Sequence, residues 1–187
     1  MRKRMIACAT LMLSLCLAVP AMAQQGQKPL REPDVIFVPT PAEVVTAMLK
    51  LANVTAKDTV YDLGCGDGMI VTAAAKEFGA KAIGVDINPV RVKEANERVQ
   101  KAGVADKVTI RNEDLFETNI SDATVVTLYL LQTLNQKLIP KLNKELKPGT
   151  RIVSQTFSMG DNYPPEKTID VAGRPIYLWT VPMKEKK

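Results

Sequence analysis

Three glycines at alternate positions, Gly64, Gly66 and Gly68, follow a short run ending in apolar residues, Thr59-Val60-Tyr61-Asp62-Leu63. An alanine-rich stretch, Met69 to Phe78, comes next, and Gly79 is placed to end it as a helix. Strand, glycine turn and helix in that order open the ligand crevice of a doubly wound sheet. Small residues at alternate positions let a ligand approach the turn and permit positive φ there. Asp62 stands before the first glycine and Asp67 lies inside the turn, so the spacing is D-x-G-x-G-x-G. The dinucleotide fingerprint is G-x-G-x-x-G, with a pyrophosphate at the helix N-terminus. Two carboxylates disfavour a pyrophosphate and suit a ligand that carries an ammonium group and hydroxyls. Cys65 reads as a small apolar contact, since no basic neighbour in the sequence would lower its thiol pKa.

A second acidic residue strengthens this reading. Asp86 ends the apolar run Lys81-Ala82-Ile83-Gly84-Val85, followed by Ile87 and by Asn88-Pro89 as cap and first turn of a helix to about Ala102, stopped by Gly103. A carboxylate in that place reaches the ribose hydroxyls of an adenosine ligand; taken alone it is only a turn residue before a helix. Asp114 follows a third strand, Val108 to Arg111. It stands either as acceptor for an adenine amino group, with Leu115 or Phe116 packed on the ring, or as a carboxylate capping its own loop.

These residues need a frame. Val35 to Val38 is a short strand-like run, and Thr40-Pro41-Ala42-Glu43 combines a Thr cap, Pro at the first helical position and Glu three after the cap. Val44, Val45, Met48, Leu49 and Ala52 continue with helical spacing. That helix either only covers the core or brings its start, Thr40, to the ligand crevice. Ala123 to Leu131 is a nearly unbroken apolar strand carrying Thr127 and Tyr129 toward the crevice mouth. Gln136 to Leu146 is a helix in which Pro140 calls for a kink or restart. Arg151 to Ser154 is a fifth strand. Thr168 to Val171 and Ile176 to Val181 flank Ala172-Gly173-Arg174-Pro175 as a closing hairpin. The fold class is α/β: a doubly wound, Rossmann-like seven-strand sheet, mostly parallel, with a C-terminal antiparallel hairpin.

At 187 residues the chain has room for one such domain. Residues 1–23 have the three parts of an export signal: Arg2-Lys3-Arg4, the apolar run Met5 to Val19, and Ala21-Met22-Ala23 before the cut. The alternatives are a membrane anchor or a cytoplasmic chain, though the apolar run falls short of the ~20 residues a span needs. Residues 24–34 read as a mobile leader, 35–183 as the domain and 184–187 as a basic tail. Cleavage would leave Cys65 as the single cysteine, which precludes an intrachain disulfide. It would also remove three of the positive charges behind the net +5. No basic stripe remains to suggest nucleic acid, and no metal-ligating constellation is evident.

With the crevice residues in place, the chain resembles the class I S-adenosylmethionine-dependent methyltransferases. YDLGCGDG at 61–68 is similar to their first motif, and Asp86 and Asp114 fall at their ribose and adenine positions. FVPTP at 37–41, VTLYLL at 126–131, NQKLIPKL at 135–142, LKPGTRIVS at 146–154 and YLWT at 177–180 narrow the resemblance. They look like the archaeal broad-specificity protein-lysine methyltransferases and their mitochondrial relatives that act on an ATP-synthase c subunit or a nucleotide carrier. Two positions depart: Gln155 stands where that group usually has His, and Asn162 where it often has Trp.

The resemblance implies S-adenosyl-L-methionine bound by Asp62, Gly64, Cys65, Gly66, Gly68, Asp86, Ile87, Asp114, Leu115 and Thr40. It implies a monomer acting on accessible protein lysines, with Tyr129 and Thr127 nearest the chemistry. The chain has no His, so the acceptor's proton goes to water, a carboxylate or Tyr129. Small-molecule methylation and an exported, inactive cofactor-binding protein are the alternatives. Amino-group methylation of a nucleobase is disfavoured, because the [DN]-P-P-[YF] signature is absent.

Overall fold

The computed structural model describes residues 30–186. The export signal, the first part of the leader and Lys187 therefore lie outside the described residues. The elements run α1 (Ala42–Leu51), β1 (Thr59–Leu63), α2 (Met69–Phe78), β2 (Lys81–Asp86), α3 (Pro89–Ala102), β3 (Val108–Asn112), β4 (Val125–Leu128), α4 (Gln132–Glu145), β5 (Arg151–Gln155), β6 (Lys167–Val171) and β7 (Arg174–Thr180). The seven strands form one sheet in the order β3-β2-β1-β4-β5-β7-β6. β1 to β5 are parallel, and β7 is antiparallel to both β5 and β6. The order reverses between β1 and β4, and ligands of open α/β sheets bind at the strand ends beside such a switch point.

The two-residue period of the strands divides the core. Val60, Val125 and Val153 face one side, against Val44 and Met48 of α1, Ile70 and Ala74 of α2 and Val99 of α3. Tyr61, Leu63, Leu128 and Ile152 face the other, against Leu138 and Leu142 of α4 and against Trp179. Fully burying one such side chain stabilises the fold by about 1.5–3 kcal/mol. The positively phased turns fall where the sequence places Gly: Gly79 and Gly103 are left-handed C-caps of α2 and α3. Asn88 caps α3 by accepting the Val90 N–H. The hairpin turn is only Ala172-Gly173, both at positive φ, and Arg174 and Pro175 belong to β7.

Several expectations are corrected. Val35 to Val38 is not a strand. Pro33 and Pro39 flank it, and the segment lies along a cavity wall instead of pairing with an edge strand. Thr40 is not the cap of α1. Pro41 holds that position, and its carbonyl accepts the Val44 and Val45 N–H groups. No side-chain capping bond forms, because Thr40 is drawn into a cavity wall instead. β4 stops at Leu128, and the chain leaves the sheet through Tyr129, Leu130 and Leu131. α4 consequently starts at Gln132, four residues before the expected Gln136. It also continues past Pro140. Gln136, whose carbonyl loses a helical donor there, is exposed and can turn to water.

Candidate functional site

The glycine turn is tied to the next strand before any ligand is considered. The Gly64 and Cys65 N–H groups both donate to the Val85 carbonyl at 2.8 and 2.9 Å, and the Gly66 N–H donates to Asp86 Oδ2 at 2.8 Å. Asp86 Oδ1 accepts the Asn88 N–H at 2.8 Å. One carboxylate thus fixes the turn after β1 and the start of α3, and each oxygen keeps lone pairs for a ligand. The cavity at these strand ends is lined by Asp62, Gly64, Cys65, Asp86, Ile87, Asp114, Leu115, Tyr129 and Thr40, all singled out in the sequence.

Three of the singled-out residues do not line it. Thr127, expected near the mouth, has no exposed surface; its hydroxyl donates to Asp62 Oδ1 at 2.7 Å. It stands behind the carboxylate and orients it. Gly66 and Gly68 serve packing. A Cβ on Gly66 would lie 2.3 Å from the ring of Phe37, and one on Gly68 would meet Ala95 of α3 at 2.9 Å. Gly68, at φ 78°, is the cap of α2. Gly64 lines the cavity, yet its Cβ direction meets Leu130 at 3.0 Å. The alternate glycines, all at positive φ as expected, also let the chain's own segments close over the turn.

Asp62 is the electrostatic centre. Burial pushes its carboxyl up to about 7; the Thr127 hydroxyl opposes that, and the negative charges of Asp86 and Asp67 add to it. Among the described residues no cationic side chain pairs with it. Asp67, by contrast, is paired with Arg98 of α3, so its charge is already met. The Cys65 thiol is pushed up by burial and by the Asp62 charge, which keeps it an apolar wall and not a nucleophile.

The sequence did not single out the cover. Arg31, Pro33, Asp34, Val35, Ile36, Phe37 and Val38 all line the cavity. Arg31 donates to Asp114 through Nε and Nη2 and to Asp34 through Nη1. Burial works against the Asp114 carboxylate, but the Arg31 bonds, the Phe116 N–H and the charges of Arg31 and Lys137 outweigh it and hold the carboxyl below its usual range. Arg91 of α3 stacks over Phe37, 4.8 Å from the ring centre. An apolar run between two prolines that fits no strand was the available signal. On the far wall Tyr129 stacks with Phe157 at 6.5 Å, just beyond β5.

The ANTKMT methyltransferase domain matches residues 62–166. A protein-lysine N-methyltransferase of Saccharolobus islandicus is 47% identical over 154 residues, 80% of this chain and 95% of its own length. An ATP-synthase c-subunit lysine N-methyltransferase of Caenorhabditis elegans is 28% identical, over 84% of this chain and 83% of its own length. A crystal structure described as an RNA methyltransferase from Salinibacter ruber, in complex with S-adenosyl-L-homocysteine, is 51% identical. It superposes with a TM-score of 0.77 over 80% of this chain and 97% of that one. The chain belongs to the ANTKMT methyltransferase domain family and is an S-adenosylmethionine-dependent methyltransferase.

Proposed function

We propose that the acceptor is the side-chain amine of protein lysine. The observation that carries this is the likeness to the Saccharolobus islandicus lysine methyltransferase, 47% identical over 80% of this chain and 95% of that protein. The donor set fits the cofactor on physical grounds. Asp62 is a buried carboxylate without a cationic partner, and an ammonium group there would restore its charge. Asp86 would accept from the ribose hydroxyls, while Asp114, Leu115 and Ile87 would hold the adenine.

When bound, the cofactor supplies a sulfonium methyl group. The chain's own part is alignment, close approach and exclusion of water. Thr127 fixes Asp62, Asp86 fixes the glycine turn, and the segment 31–38 covers the cavity. Tyr129 presents its ring and hydroxyl at the far wall. The chain has no His, so the ammonium of the acceptor gives up its proton, before transfer, to water, a carboxylate or Tyr129.

A second reading follows from the RNA acceptor named for the Salinibacter ruber structure. An RNA acceptor calls for unpaired cations along its path. Around this cavity Arg31 is paired with Asp114 and Asp34, and Arg91 with Glu94. The lysine reading therefore has the better support. Incubating the protein with labelled S-adenosylmethionine, a lysine-rich protein and a mixed RNA tests it: label in protein lysine supports it, and label in RNA alone overturns it.

Residues 1–23 are proposed as an export signal, which would place the mature chain, beginning at Gln24, beyond the inner membrane. N-terminal sequencing of protein from its own cells tests this. An intact Arg2-Lys3-Arg4 in a soluble cytoplasmic fraction overturns it.

A further inference from the structure

Among the described residues six large hydrophobic side chains are exposed: Leu30, Ile36, Phe37, Val38, Val90 and Leu131. Three of the six are consecutive on the wall of one cavity. Ile36, Phe37 and Val38 line the cavity, and Leu30, Val90 and Leu131 are each next in the chain to a lining residue, Arg31, Arg91 and Leu130. Ile36 is 86% exposed, the extreme of the set. Exposed apolar side chains scattered singly need no explanation, but three in a row on a cavity wall mark a contact surface.

The charges at the same mouth are used internally. Arg31 joins Asp114 and Asp34, Arg91 joins Glu94 and stacks on Phe37, and Asp67 joins Arg98. The rim therefore offers a partner an apolar surface, with Lys137, seated over the Phe116 ring, as the cation near Asp114 that joins no ion pair among the described residues. A lysine side chain extends roughly 6 Å from its backbone, given bonds of about 1.5 Å. An acceptor amine inside the cavity thus brings the residues beside that lysine onto the rim.

Resting on the lysine reading above, we propose that the rim formed by Ile36, Val38 and Leu131 selects lysines flanked by aliphatic or aromatic residues. The partner is a peptide segment whose neighbours of the acceptor are apolar and uncharged. A charged flank would leave its charge facing apolar side chains, away from water and without a partner.

Two peptides of equal length and charge test this, one lysine flanked by Leu and Val, the other by Ser and Gln. The full chain with S-adenosylmethionine is expected to favour the apolar peptide by about tenfold in kcat/KM, through KM. Leu131→Ser lies outside the cavity lining and places a hydroxyl at the cap position of α4, where Ser is favoured, so the fold is kept. It should raise KM for the apolar peptide severalfold, leave the polar peptide unaffected and leave S-adenosylhomocysteine affinity unchanged. Equal kcat/KM for the two peptides overturns the proposal while the lysine reading stands. Vesicle binding or self-association that Leu131→Ser removes, with equal peptide rates, assigns the rim to lipid or to a second copy and also overturns it. No transfer to either peptide, with label entering RNA, overturns the lysine reading and the proposal together.

Discussion

Asp62 and Thr127 are Cα partners across the parallel pair β1–β4, and the hydroxyl of one meets the carboxylate of the other at 2.7 Å. The pair sits at the switch point, where the helices of neighbouring units diverge. Burial places the Asp62 carboxyl at about 7, so it is mostly protonated below that pH and mostly charged above it. Coproduct binding through an ammonium group requires the charged form. The affinity for S-adenosylhomocysteine should fall as pH drops from 8 to 6, approaching tenfold per unit at the acid end. Calorimetry across that range should show it, and Asp62→Asn should bind weakly with a flat profile.

The same carboxyl makes a stability prediction of opposite direction. Its folded pKa lies above the ordinary value near 3.9. Its stabilising contribution is complete below pH 4 and is lost as pH rises through 7. Asp62→Asn should therefore raise the melting temperature of the ligand-free protein at pH 8 and change it little at pH 4. Thermal unfolding at the two values checks this; equal shifts at both would contradict the buried charge.

Phe37 occupies the space that a side chain on Gly66 would need. Gly66→Ala is thus expected to displace the cover as well as to strain a residue at φ 53°. Phe37→Ala opens that space without backbone strain. Both should weaken S-adenosylhomocysteine binding, Gly66→Ala by more, and in the Phe37→Ala background the added cost of Gly66→Ala should shrink. A double-mutant cycle measures that coupling; full additivity would show that the ring and the glycine act independently.

The sheet was legible because its signals are local: apolar strands, left-handed glycine caps at Gly79 and Gly103, and Pro89 after Asn88. The carboxylates at the strand ends were legible for the same reason, since Asp62 and Asp86 sit at fixed places in a βα unit. Thr127 was misjudged because it shares the side of Asp62 but lies behind that carboxylate, a depth that side-chain alternation does not reveal. The Ala123 to Leu131 run concealed where the chain leaves the sheet, for apolar composition is equally suited to β4 and to a cavity wall. The cover was missed because Arg31 and Asp114 are 83 residues apart, and a leader with two prolines carries no periodicity.

Arg31 ties that cover to the loop after β3 through a two-pronged bond to Asp114. The guanidinium is partly exposed, so salt screens the pair and its value is about 1 kcal/mol or less. Arg31→Ala should speed S-adenosylhomocysteine release about threefold to fivefold and make the chain more sensitive to protease between residues 31 and 38. Stopped-flow release and limited proteolysis test both parts. The difference between wild type and variant should narrow at high salt, because the ion pair is what is screened.

Tyr129 lines the cavity with its phenol, and the chain has no His to take a proton. A lysine amine with pKa near 10.4 is a minor neutral species at pH 7. If water removes its proton before transfer, single-turnover rates should climb almost tenfold per pH unit from about 7 to about 9. Tyr129→Phe keeps the ring and its stacking on Phe157 and removes only the hydroxyl. It should preserve that slope, with a rate lowered no more than severalfold. Tyr129→Ala removes the wall itself and should cost far more. A rate lowered by Tyr129→Phe as far as by Tyr129→Ala would instead make the phenol the proton acceptor.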